Sequence, residues 1–214
     1  MDTADATRLM ELLASKICHD LISPVGAVSN GVEILEEIGP DAGDDVTDLI
    51  AFSAGQANAK LKALRLAYGA GGADVSIKAE DVYNVFGSFI EGDNRISQNW
   101  DPYADLGIEN RPGFSKVLMS CLLFAIEGLP KGGAISVRKD TDGTTMISGE
   151  GDGASFREGY VDALHGRPAL DQIENKHVHA YITGLLVRAY DFEISVDETQ
   201  DGFIFLRLTS TGTH

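Results

Sequence analysis

"KICHDLISPVGAV", residues 16–28, lies within a longer stretch of helical spacing, yet it carries a proline and a glycine in its interior and a histidine beside an aspartate. Leu9, Leu13, Ile17, Leu21, Val28, Val32 and Leu35 recur at three- and four-residue intervals, which predicts one helix over 4–38. An interior proline costs a helix about 3 kcal/mol and a glycine about 1 kcal/mol. Pro24 cannot donate the helical hydrogen bond to the carbonyl of Asp20, and its ring crowds that carbonyl. The helix is therefore expected to bend just after His19.

At about 100° per residue, Leu12, Ser15, Lys16, Ile22, Ser23, Gly26, Asn30 and Glu33 fall in the sector around His19. Ile17, Leu21, Val28, Val32 and Leu35 fall opposite. His19 thus points away from the apolar stripe, onto a face of small and polar residues with one exposed isoleucine. Gly26 leaves bare backbone there for another molecule to approach. A metal site needs converging ligands, and Cys18 points elsewhere. A Ser-His-Asp hydrolase needs an oxyanion hole, and no such motif occurs. What remains is a nucleophilic imidazole that takes a phosphoryl group and gives it away. Asp20 would hold its tautomer, and Lys16, one turn earlier, would offset the added negative charge.

Gly39-Pro40 stops the first helix, and Asp44 or Asp45 can cap the next. The second helix is predicted to run to Tyr68, with Val46, Ile50, Ala54, Ala57, Leu61 and Leu64 on one face. A short link between two long helices implies an antiparallel hairpin. Its apolar faces need partners: either a second chain, giving a dimeric four-helix bundle, or the rest of the same chain. "YGAGGAD", 68–74, reads as a hinge, dividing the chain into 1–70 and 71–214. Beyond it the pattern is mixed. Strands are expected at "VSI" and "RISQNW", and helices over 79–91, 113–128, 155–164 and 174–190. Hairpins are expected to turn at Asp142-Gly143 and Asp201-Gly202. The fold class is α+β, helices on a largely antiparallel sheet.

The 214 residues carry a formal net charge of −16, which argues against nucleic acid as a partner, since phosphate binding needs clustered cations. No stretch approaches the roughly 18 apolar residues of a membrane span. The N-terminal residues carry no export pattern, and two cysteines, Cys18 and Cys121, make no disulfide framework. A cytoplasmic location is therefore expected. "HVH" at 177–179 is read within a helix, where positions i and i+2 diverge and cannot share a metal. "GEGDG" at 149–153 lacks the lysine of a phosphate loop and is read as a hairpin end.

"CHDLISPVGAV" resembles the phosphoacceptor box of two-component histidine kinases, with His19, Asp20, Ser23 and Pro24 filling its positions. With "NGVEIL" following, it resembles the ChpT-type histidine phosphotransferases of alphaproteobacteria. The resemblance implies a dimerising hairpin followed by a unit similar to the kinase ATPase domain. The kinase boxes are changed. Ser120 and Phe124 stand at the two Mg²⁺-binding asparagine positions, Gly149 stands at the adenine-reading aspartate, and only Gly184 remains of a glycine-rich phosphate loop. Phe124 cannot ligate a hard cation. The resemblance therefore implies no nucleotide cofactor and no ATP-dependent kinase activity, with Mg²⁺ supplied by the partner. It implies that His19 is the phosphoacceptor, assisted by Asp20, Lys16 and Ser23. A receiver domain would dock over Ile22, Gly26 and Asn30. The receiver of a hybrid kinase would donate the phosphoryl group, and response regulators of the CtrA and CpdR kind would accept it. An active kinase and a non-catalytic receiver scaffold remain the alternatives.

Overall fold

The computed structural model describes residues 2–39, 43–74, 76–198 and 202–212. Thr3–Ile38 form one helix, α1, which runs through Pro24 without interruption. The Asp2 carboxylate caps it by accepting from the Asp5 N–H at 2.8 Å. The backbone turns out at Gly39, whose φ of +68° favours glycine. Gly43–Tyr68 form α2, with Asp44 and Asp45 in the first turn, where negative charge meets the positive helix end. The two helices are antiparallel, since Gly31 meets Ile50 while Asp20 meets Lys60. Gly31 permits the close approach. A Cβ there would lie 2.5 Å from Ile50 Cγ1.

The rest of the chain is a two-layer α/β unit. It contains α3 (Ala79–Ile90), β1 (Ile96–Gln98), α4 (Phe114–Glu127), β2 (Gly133–Lys139) and β3 (Thr145–Glu150). These are followed by α5 (Tyr160–Leu164), α6 (Val178–Ala189), β4 (Phe192–Glu198) and β5 (Phe203–Ser210). The five strands order as β1-β2-β3-β5-β4. Only β1 and β2 are parallel, joined by a crossover through α4, and the other pairings are antiparallel. Ile204, Leu206 and Leu208 alternate into the core while their neighbours on β5 stay half-buried. One face of the sheet therefore carries the helices. The β2–β3 turn falls at Asp142-Gly143, where Gly143 has a φ of +85° and the Asp142 carboxylate accepts from the Thr144 N–H.

Several expectations change. Ser76 and Ile77 are in no strand, because the Asp74 carboxylate takes the Ser76 N–H at 2.8 Å and turns the chain; Val75 lies outside the described residues. The helix expected over 155–164 is shortened to Tyr160–Leu164. Gly159, at a φ of +85°, breaks it, and the Ser155 N–H is drawn to the Gly128 carbonyl. A 3-10 turn, Asn175–His177, leads into α6. Pro40, Asp201 and His214 lie outside the described residues.

The apolar faces of the hairpin do find partners inside the chain over half their length. Leu12, Ala63, Leu66 and Ala67 belong to the same buried cluster as Val82, Phe86, Leu122 and Phe124. The link after α2 is tied down rather than open, since Lys116 Nζ donates to the Gly69 carbonyl at 2.6 Å. The distal half of the hairpin differs. Val25, Val32, Leu49 and Phe52 are all exposed there. Among the described residues, no helix is long and apolar enough to cross a membrane.

Candidate functional site

The face of α1 that carries His19 dives into the core two turns earlier, at Leu12, which is 2% exposed. His19 stands where that face emerges, and its side chain is 87% exposed. Seven residues at about 1.5 Å each put it roughly 10 Å above the buried leucine. Ile22, Ser23 and Asn30 are exposed on the same face. A Cβ on Gly26 would meet nothing within 4 Å, so the stripe there is open. The structure thus sets Asp20 between Lys16 and His19 and leaves Ile22, Ser23, Gly26 and Asn30 along the open stripe.

Beneath the imidazole the charges are ordered. Asp20 Oδ1 lies 3.4 Å from His19 Nδ1, a long contact that orients the ring rather than binding it tightly. Lys16 Nζ is 3.1 Å from both carboxylate oxygens of Asp20, as expected for residues one turn apart. With Nδ1 turned toward the carboxylate, Nε2 is the free nitrogen on the open side.

Sequence reasoning missed the contribution of α2. Lys60 Nζ donates to the Asp20 backbone carbonyl at 3.1 Å, across 40 residues of chain. The signal was present in Pro24, which leaves that carbonyl without its helical donor. Behind the pair lies a cavity of about 180 Å³, whose polar lining is Lys16, Asp20, Lys60, Tyr68, Glu127 and His179. Burial raises the Glu127 carboxyl, with Lys16 opposing and Asp20 reinforcing the shift. Burial likewise raises the Tyr68 phenol, which is hydrogen bonded to His179 Nδ1. Burial, helped by the positive charge of Lys16, lowers His179 to about 3, so the ring is neutral. The other histidine of "HVH", His177, packs edge-on against Tyr160 and directs Nε2 at the Glu158 carbonyl, 3.2 Å away.

The four positions that the resemblance sets against the kinase nucleotide boxes are all interior. Ser120 Oγ turns back to the Lys116 carbonyl at 3.0 Å. Phe124 is fully buried and stacked on Phe156, with centroids 4.4 Å apart and planes 9° from parallel. Gly149 lies in β3, where a Cβ would press on Ile204 at 2.9 Å. Gly184 lies within α6 rather than in a loop, and any Cβ there would collide with the Leu164 carbonyl of α5.

A long helical hairpin joined to a five-stranded α/β unit, with a surface histidine backed by an acid, is the arrangement of a protein phosphotransferase. The family model for the histidine phosphotransferase C-terminal domain matches residues 79–202. The chain is 34% identical over 207 residues to the protein phosphotransferase ChpT of Brucella abortus (strain 2308), covering 95% of this chain and 96% of that one. A solved bacterial phosphotransferase superposes with a TM-score of 0.76 at 29% identity, covering 98% of both chains. The chain belongs to the ChpT-type protein phosphotransferase family.

Proposed function

We propose that the chain is a phosphohistidine shuttle between receiver domains. His19 Nε2 attacks the phosphorus of a receiver aspartyl phosphate. The N–P bond forms as the acyl O–P bond breaks, and the receiver aspartate leaves as a carboxylate. The reverse step on a second receiver empties the histidine. Asp20 keeps the Nδ1 proton in place, so the Nε2 lone pair faces outward, and Lys16 offsets part of the incoming charge. Ser23, one turn beyond His19, assists it, and Ile22, Gly26 and Asn30 form the docking stripe. The donor is the receiver of a hybrid kinase, and the acceptors are response regulators of the CtrA and CpdR kind. The observation that carries this reading is the exposure of His19 beside a half-buried, lysine-paired Asp20.

The Mg²⁺ of the reaction is assigned to the receiver, because Phe124 puts hydrocarbon where a kinase ligates the metal. The exposed Val25, Val32, Leu49 and Phe52 support pairing of two hairpins into a four-helix bundle. The free thiols Cys18 and Cys121 suit a reducing cytoplasm.

The test is transfer between purified phosphorylated and unphosphorylated receivers, with this chain added in trace amounts. His19→Ala should abolish transfer and acid-labile labelling, while melting and receiver binding stay near wild type, since the side chain faces solvent. A labelled His19→Ala protein would refute the assignment. Unimpaired signalling by that variant in cells would favour a scaffold.

A further inference from the structure

We propose that Lys60 is a positioning residue for the phosphoacceptor: its ammonium replaces the backbone N–H that Pro24 lacks and thereby fixes the stretch of α1 that carries His19 and Asp20. The inference rests on the phosphotransfer reading above.

In an unbroken α1 the carbonyl of Asp20 would accept from the N–H of residue 24. Proline has none, and its ring pushes the carbonyl outward. Such a carbonyl must find water or another donor, because an unpaired backbone acceptor in a partly covered site is costly. The structure supplies the donor from the neighbouring helix. Lys60 Nζ lies 3.1 Å from Asp20 O, is itself partly buried, and shares the cavity wall with Lys16 and Asp20. Asp20 is therefore held twice, by Lys16 at its carboxylate and by Lys60 at its backbone. Fixing that backbone fixes the direction of its side chain and of the adjacent His19. Proline thus opens one acceptor in α1 and α2 fills it, so the backbone beside the phosphoacceptor is fixed by a contact between helices rather than by α1 alone.

The two residues must then act as a unit, which a double-mutant cycle detects. The proteins are the wild type, Lys60→Met, Pro24→Ala and the double variant, with Lys60→Arg as the conservative exchange. Met keeps the aliphatic stem of Lys60 and removes the donor, and Ala at 24 returns the N–H to Asp20. Lys60→Met should slow receiver-to-His19 transfer roughly tenfold, the size of one charge-assisted hydrogen bond. In the Pro24→Ala background the same change should cost less than about twofold. Lys60→Arg should recover most of the rate. The imidazole ¹⁵N shifts of His19, which report its tautomer, should move on Lys60→Met only where Pro24 is present, and the loss in Tm should follow the same pattern.

Equal effects of Lys60→Met in both backgrounds would overturn the inference while leaving the phosphotransfer reading intact. Coupling in Tm without coupling in rate or ¹⁵N shifts would reduce Lys60 to a helix-to-helix tie and overturn the positioning role. A wild-type chain that takes no phosphate from any receiver would refute the phosphotransfer reading, and the positioning role would then fall even if the thermal cycle shows the contact to be real.

Discussion

Ile22→Ala separates docking from folding. Ile22 is 69% exposed on the outward face of α1, three residues beyond His19. Covering a whole isoleucine side chain is worth about 1.5–3 kcal/mol. A receiver that buries the exposed part of Ile22 therefore gains roughly 1–2 kcal/mol from it. Alanine keeps one methyl group, so truncation should forfeit about 1–1.5 kcal/mol, a five- to tenfold rise in Kd. The free protein should not notice. The side chain packs on little, and alanine is the better helix former. The assay is calorimetric titration with an isolated receiver domain, alongside thermal melting of both variants. An unchanged Kd with an unchanged Tm would place the docking surface elsewhere. A fall in Tm would mean that Ile22 serves the fold, and the argument from exposure would be wrong.

Further outcomes are specific. Val32→Glu combined with Phe52→Glu should convert a dimer to a folded monomer in light scattering, because both side chains are exposed in the single chain and would meet their counterparts only across a bundle. A wild type that scatters as a monomer at micromolar concentration would refute the bundle. Titration with Mg-ATP should give no heat, since Phe124, which the resemblance sets against a metal-binding asparagine, is stacked on Phe156 in the interior; micromolar binding would revive the kinase alternative. His179 titrates at about 3 in the fold against an ordinary value of 6.5. Its contribution is complete above the unfolded value and is lost as pH falls from there toward 3, because the unfolded chain binds the extra proton. His179→Gln should therefore lose less stability than wild type between pH 7.5 and 5 in urea unfolding, although it starts lower. A parallel loss in both proteins would count against a neutral, buried ring.

Local signals in the sequence were sufficient for α1, α2 and the β2–β3 hairpin. The spacing from Leu9 to Leu35 marks α1 because a helix repeats its apolar face every three or four residues, and Asp142-Gly143 marks the β2–β3 turn because Gly143 accepts positive φ cheaply. The His19 stripe could be read for the same reason, since the side chains of one helix share a wheel. Failures occurred where a distant contact or a single side-chain hydrogen bond decides. The Asp74 carboxylate turns "VSI" away from strand, and Gly159 cuts α5 short. The burial of Leu12, on the same wheel sector as His19, depends on where the α/β unit comes to rest. Nothing within α1 could reveal that. Lys60 lies between these cases. The proline announced an acceptor in need of a donor, but its identity belongs to the register of α1 against α2, which Gly31 and Ile50 set by close approach.

The ring stack of Phe124 on Phe156 has a thermodynamic consequence. A domain built around a ligand is stabilised by mass action in proportion to ln(1 + [L]/Kd), so its folded fraction follows the concentration of that ligand. At Phe124 the interior is filled by the chain's own aromatic carbon, fully buried and stacked on Phe156. The filling is covalently present at unit stoichiometry and cannot be diluted or depleted. The packing at Phe124 therefore does not vary with the concentration of any solute.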